Sequence, residues 1–130
     1  MIIFDTDTCI GILRGNHIVT SRRRTVNDEI AVSFMTVAEL YYGAEKSLNP
    51  DKNFQLVEQF LLTVSIINTD IEILKEFGRL KVVLELQGNP LADADLFIAA
   101  TCLINGSTLV TGNISHYNRI TGLVIDNWLR

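Results

Sequence analysis

Five short apolar runs, at residues 2–4, 30–33, 64–67, 108–111 and 123–125, recur along this chain, with helical periodicity filling most of the sequence between them. That alternation constrains the fold more than any other feature. Strands joined through helices cannot pair as hairpins; they return side by side in a parallel sheet whose faces the connecting helices cover. The expectation is an α/β protein with a mainly parallel central sheet of about five strands, flanked by helices on both faces. A length of 130 residues suits one domain, and no repeat, linker or low-complexity tract divides it, so a single domain over residues 1–130 is expected.

Local signals place the helices. Residues 9–14 read as a short helix ended by Gly15-Asn16, and a polar, basic stretch through Arg22, Arg23 and Arg24 as a second. The pattern over residues 35–47 is helical, and Asn49-Pro50 supplies an N-cap and a first-turn proline for a helix reaching residue 62. Thr69-x-x-Glu72 has capping-box form ahead of Ile71, Leu74, Phe77, Leu80 and Leu84, and Gly88-Asn89-Pro90 stops that helix. A further helix opens near Asp93 and ends before Gly106, and Gly112-Asn113 reads as a turn.

Against this apolar background certain acids stand out. Asp5 and Asp7 follow the first strand, Glu39 lies inside Val37-Ala-Glu-Leu-Tyr-Tyr42, and Asp93 and Asp95 open the run Leu96-Phe-Ile-Ala-Ala100. Carboxylates are rarely buried without a partner, and Glu39, Asp93 and Asp95 have no Lys or Arg near them in sequence. Structural roles compete with functional ones. Asp5 or Asp7 can cap the following helix, Glu39 can pair with a distant cation, and Asp93 can serve mainly as a cap while Asp95 faces the interior. Asp5 is the better site candidate of the first pair, because ligands of open α/β sheets collect beyond the strands' carboxyl ends. If Asp5, Glu39 and Asp95 converge within about 5 Å, each pair repels by roughly 3 kcal/mol at an effective dielectric near 20. A divalent cation would relieve that repulsion. Hard oxygen ligands select Mg²⁺, with Mn²⁺ able to substitute, and metal-assisted phosphodiester hydrolysis suits such a site.

Composition narrows the remaining classes. With 48% hydrophobic and 20% charged residues the chain has the makings of a globular core, and its apolar runs are far too short to span a bilayer, so an intracellular, cytoplasmic protein without membrane association is expected. Cys9 and Cys102 lack metal or redox spacing and read as core residues. The net charge of −4 argues against general adhesion to nucleic acid, yet part of it is the acid set itself, and a bound cation would reverse the local field.

With these residues in view, the chain resembles the PIN-domain ribonucleases, and within them the VapC-type toxins of toxin–antitoxin pairs. The likeness runs through Phe4-Asp-Thr-Asp-Thr-Cys-Ile10, Thr36-Val-Ala-Glu-Leu-Tyr-Tyr-Gly-Ala-Glu-Lys-Ser47, Asp93-Ala-Asp-Leu-Phe-Ile-Ala-Ala100, Thr108-Leu-Val-Thr111 and the terminal Gly122-Leu to Asn127-Trp128. The resemblance implies a PIN-like fold, a Mg²⁺-dependent endoribonuclease activity on RNA, and inhibition by a small antitoxin occupying the active-site groove. It makes Asp5, Glu39 and Asp95 the metal ligands and catalytic acids, Asp93 an additional acid, Thr111 a supporting hydroxyl and Asp7 a peripheral group. After Thr111, where relatives often carry a further acid, this chain reads Gly112-Asn-Ile-Ser-His116; Asn113 or His116 would take that place, and His116 is otherwise a surface turn residue.

Two other classes remain open at this point. Asp5-Thr-Asp-Thr8 also matches the nucleophile motif of haloacid-dehalogenase-like phosphohydrolases, which would leave Glu39 without a role. A non-catalytic PIN-like binding module is the other, against which the complete acid set argues. Arg22, Arg23, Arg24 and Lys46, together with Arg14, are candidates for an RNA-phosphate rim, although such basic runs also serve as solvated helix faces. Tyr41, Tyr42, Phe54, Phe60 and Leu61 are core candidates that could also serve a homodimer, a habit of the resembling family. Resemblance and charge together predict that the antitoxin inserts an apolar helix and a basic side chain toward Asp5 and Asp95.

Overall fold

A computed structural model of the chain describes residues 1–129. The elements follow in the order β1 (Ile2–Phe4), α1 (Thr6–Leu13), α2 (His17–Arg23), β2 (Ile30–Ser33), α3 (Phe34–Glu45), α4 (Pro50–Leu61), β3 (Ser65–Ile67), α5 (Ile71–Leu86), α6 (Asp93–Asn105), β4 (Thr108–Val110), α7 (Ile114–Tyr117) and β5 (Val124–Asp126). The strands form one sheet in the order β3-β2-β1-β4-β5, with every neighbouring pair parallel, as the strand–helix alternation predicts.

The sheet separates two apolar cores, and strand alternation decides which residue joins which. Ile3, Ala31 and Leu109 face one way, with Ile73, Leu80, Leu84, Leu96 and Ile98 of α5 and α6. Ile2, Phe4, Val32 and Val110 face the other way, with Val19, Leu40, Val57, Phe60 and Trp128. Cys9 and Cys102 belong to opposite cores and are buried free thiols, as their spacing suggested. No described helix is long and apolar enough to cross a membrane.

Topology positions the site. The chain builds β1, β2 and β3 to one side and then places β4 and β5 on the other, so the reversal falls between β1 and β4. Crevices form beyond the carboxyl ends of strands at such a reversal. Asp5 follows β1 and Thr111 follows β4 at that place, with Asp5 N–H donating to Val110 O at 2.9 Å.

Several boundaries differ from the sequence reading, two of them because of a side-chain cap. α1 begins at Thr6 instead of residue 9, since the Asp5 side chain accepts from Thr6 N. Asp70, not Thr69, caps α5 by accepting from Ile73 N at 2.9 Å. The assignment of Asp93 to the cap of α6 is corrected as well. Ala92 holds that position without a side-chain bond, and Asp93 is already the first helical residue. After the turn at Gly112-Asn113 the chain also forms the short helix α7, which the turn reading did not include. Asn49 and Pro50 open α4 as read.

Candidate active site

Asp5 is the centre of the site. It caps α1 with Oδ1, 2.8 Å from Thr6 N, while Oδ2 accepts from Thr111 Oγ1 at 2.7 Å. Thr111 Oγ1 in turn accepts from Asn113 N at 3.0 Å, so the supporting threonine is itself oriented by the turn that follows it. Asn113 thus serves through its backbone. Although only 3% of Asp5 is exposed, no Lys or Arg pairs with it among the described residues. Burial pushes its carboxyl up to about 7, with the charges of Asp7 and Asp95 adding to the effect and the bonds from Thr111 and Thr6 opposing it.

Asp95, in the first turn of α6, reaches the same place through Tyr117 of α7. The Tyr117 hydroxyl lies 3.4 Å from Asp5 Oδ1 and 3.2 Å from Asp95 Oδ1, so one phenol spans the two carboxylates. Burial, then the neighbouring acids, hold the Tyr117 proton far above the usual phenol range. His116 Nδ1 sits 3.7 Å from Asp95 Oδ2, on the other side of that carboxylate.

Glu39 enters through a different hydroxyl. Thr6 Oγ1 donates to Glu39 Oε1 at 2.7 Å and lies 3.1 Å from Thr36 Oγ1, tying α3 to the start of α1. Asp7 is held by Gly112 N, which donates to its Oδ2 at 2.9 Å; burial raises its pKa too. Asp93 stands apart from this network. Its exposed carboxylate pairs with Lys81 Nζ at 2.9 Å, a cation distant in sequence that α5 brings alongside α6.

Among the described residues no three His, Cys, Asp or Glu side chains gather into a ready-made metal cage. Asp5 and Asp95 are instead linked through the Tyr117 hydroxyl, and Glu39 is tied to Asp5 through Thr6, whose hydroxyl donates to Glu39 and whose N–H donates to Asp5. The chemistry of the donor set still fits a hard divalent cation. Asp5, Asp95 and Glu39 offer only carboxylate oxygens, and Asp5 is buried beside two further acids without a cation to balance it.

Beside Glu39 a groove of about 490 Å³ opens between α1, α3 and α4, bordered by Thr6, Ile10, Arg14, Tyr42, Lys46 and Leu56. Lys46 Nζ lies 4.8 Å from the centre of the exposed Tyr42 ring, so this wall is both apolar and basic. The arginines behave differently. Arg22 pairs with Asp126 at 2.8 Å, and its guanidinium lies 5.4 Å from the centre of the Trp128 ring; Arg23 donates to Thr63 O at 2.6 Å. Both have structural partners. Tyr41 and Phe54 pack against each other with their rings tilted by 31° and centroids 5.4 Å apart, and Phe60 is buried, in keeping with the core reading of those residues.

Thr6 and Tyr117 are the site residues the sequence did not single out. Thr6 carried one usable signal, a hydroxyl between two acids at a strand-to-helix turn. Tyr117 carried none, since its place depends on α7 folding back over the site.

Comparison with known proteins agrees with this architecture. The PIN domain family matches residues 2–121. The "Ribonuclease VapC2" of Haemophilus influenzae is 34% identical over 128 residues, covering 98% of this chain and 97% of that protein. The "tRNA(fMet)-specific endonuclease VapC" of Salmonella typhimurium is 32% identical over 127 residues, or 97% and 96% of the two chains. Among solved structures, a chain of VapBC2 from Rickettsia felis bound to a promoter DNA fragment superposes with a TM-score of 0.94 at 30% identity, over 98% of this chain and 99% of that one. A chain of VapBC-1 from nontypeable Haemophilus influenzae gives 0.91 at 30% identity over 100% of both. Likeness of this extent in both sequence and fold means that the chain belongs to the PIN-domain family, among its VapC-type members.

Proposed function

We propose that this chain is a Mg²⁺-dependent endoribonuclease, with Mn²⁺ able to substitute, that hydrolyses RNA phosphodiester bonds in the cytoplasm as the toxin of a toxin–antitoxin pair. One observation carries the reading: Asp5 is a buried carboxylate without a cationic partner, joined through single hydroxyls to Asp95 and to the turn at Thr111. Family membership supports the ribonuclease class, since relatives along nearly the whole chain are named ribonucleases or tRNA endonucleases. It also displaces the phosphohydrolase alternative, which would leave Glu39 idle.

In this mechanism Asp5, Asp95 and Glu39 would hold the cation, which would supply orientation of a phosphate, a more acidic water and charge compensation at the leaving oxygen. The protein's own part is preorganisation. Thr111 and Thr6 N–H fix both oxygens of Asp5, the Thr6 hydroxyl aims Glu39, and Gly112 N–H holds Asp7 at the edge of the site. Asp93, committed to Lys81, has a supporting role at most.

A small antitoxin is the proposed partner, its apolar segment lying along the groove beside Glu39 and a basic side chain reaching the acids. The charge imbalance at Asp5 and the VapBC assemblies named among the structural relatives support this. A homodimer is proposed on family habit. The test is cleavage of total RNA and of initiator tRNA by purified protein in Mg²⁺, Mn²⁺ or EDTA, beside Asp5→Asn and Asp95→Asn. Activity is expected only with metal and only in the wild type; undiminished cleavage in EDTA or by both variants would overturn the mechanism.

A further inference from the structure

We propose that Tyr117 is a positioning residue of the acid site, its hydroxyl holding Asp5 and Asp95 in register so that a divalent cation meets a preformed pair; this rests on the metal-dependent reading above. The phenol is fully buried, and a buried phenol needs a hydrogen-bond partner, but any carbonyl would serve that need. Here it is directed at two carboxylates of like charge, 3.4 Å from one and 3.2 Å from the other, contributed by the cap of α1 and by α6 and bridged from α7.

The chemistry of the bridge fits a place that must later accept a cation. A lysine or arginine between the two acids would cancel their charge and compete for the same oxygens. A neutral hydroxyl lowers their repulsion and leaves the charge in place. It also engages only the Oδ1 atoms. Asp5 Oδ2 is held by Thr111, and Asp95 Oδ2 faces His116. Asp5 is therefore held at both oxygens and Asp95 at one, with no ion pair to Lys or Arg at either among the described residues. Groups that orient metal ligands in this manner typically change affinity by about 10- to 100-fold when removed.

The test is Mn²⁺ binding to the full chain without RNA, followed by electron paramagnetic resonance of the free ion, for wild type and Tyr117→Phe, with melting curves of both. Tyr117→Phe keeps the ring and loses only the hydroxyl; Tyr117→Met takes its place should the phenylalanine variant not fold. The expected result is affinity weakened by about 10- to 100-fold, with RNA cleavage returning to within a few-fold of wild type at high Mn²⁺. Equal or tighter Mn²⁺ binding by the variant would overturn the assignment. So would a loss of cleavage that saturating Mn²⁺ does not restore, since the hydroxyl would then act otherwise than by setting the acid pair. Cleavage of RNA by the wild type in EDTA fails the metal-dependent reading itself, and this inference with it, and is separate from any difference between wild type and variant.

Discussion

The Thr6 hydroxyl donates to Glu39 Oε1 at 2.7 Å, joining the first residue of α1 to the second turn of α3. A hydrogen bond to a charged group is worth about 1.5–3 kcal/mol, and this one aims an acid that no Lys or Arg holds among the described residues. Thr6→Val should therefore lower kcat/KM on RNA by about tenfold or more and lower the melting temperature by several degrees. Thr6→Ser keeps the donor and should restore most of the rate.

The pH dependence of stability follows from Asp5. Its carboxyl is pushed from an ordinary 3.8 up to about 7, so between those values the folded protein holds a proton that the unfolded chain has released. The contribution of Asp5 to the stability of the metal-free protein is then fully present below about pH 4, falls as pH rises toward 7, and levels off above it. The effect amounts to a few kcal/mol at order-of-magnitude level. Melting curves in EDTA from pH 4.5 to 8 should show this fall, and Asp5→Asn should flatten it. Asp7, raised in the same direction by burial, leaves a residual slope. Added Mn²⁺ should reverse the trend, stabilising more at pH 8 than at pH 5.5, because it binds the deprotonated acids.

These two sites also mark how far the sequence could be read. The sheet was legible because strand alternation and intervening helices leave few arrangements, and Asp5 was legible because a strand's carboxyl end in such a sheet is where ligands gather. The acid set named from sequence contains Asp5 and Asp95, which the structure joins through Tyr117. Asp93 misled because its partner, Lys81, is near only after α5 and α6 pack. Thr6 and Tyr117 act through hydroxyls whose direction depends on backbone geometry, and spacing along a chain carries no record of that. The missing acid after Thr111 looked like a gap in the set; in the fold, that turn supplies backbone N–H groups from Gly112 and Asn113.

Gly112 offers a sharp steric test. A Cβ built there would lie 2.7 Å from Leu129 Cδ1 and 2.9 Å from Asp7 Oδ2, the oxygen that Gly112 N–H itself binds. Gly112→Ala should cost about 1–3 kcal/mol in denaturant unfolding, as overpacking generally does. Adding Leu129→Ala removes only the first clash. Activity that remains low in the double variant would tie the loss to Asp7, whereas full recovery would make Leu129 the sole cause.

The basic residues separate into two groups with different expected consequences. Arg22 is already matched by Asp126 and stacked near Trp128, so its charge is largely spent within the protein. Arg22→Ala should lower stability by about 1 kcal/mol, the scale of an exposed ion pair plus a cation–π contact, and leave RNA affinity nearly unchanged. Arg14 and Lys46 border the groove beside Glu39, and no carboxylate pairs with either among the described residues. If RNA phosphates lie there, each of these cations releases counterions on binding, and the logarithm of affinity falls with the logarithm of salt by roughly one further unit per contact. Fluorescence anisotropy with labelled RNA in the Asp95→Asn background, expected to bind without cutting, should show a slope shallower by about one for Arg14→Ala or Lys46→Ala. A slope altered by Arg22→Ala and by neither of the others would move the RNA path from the groove to the Asp126 face.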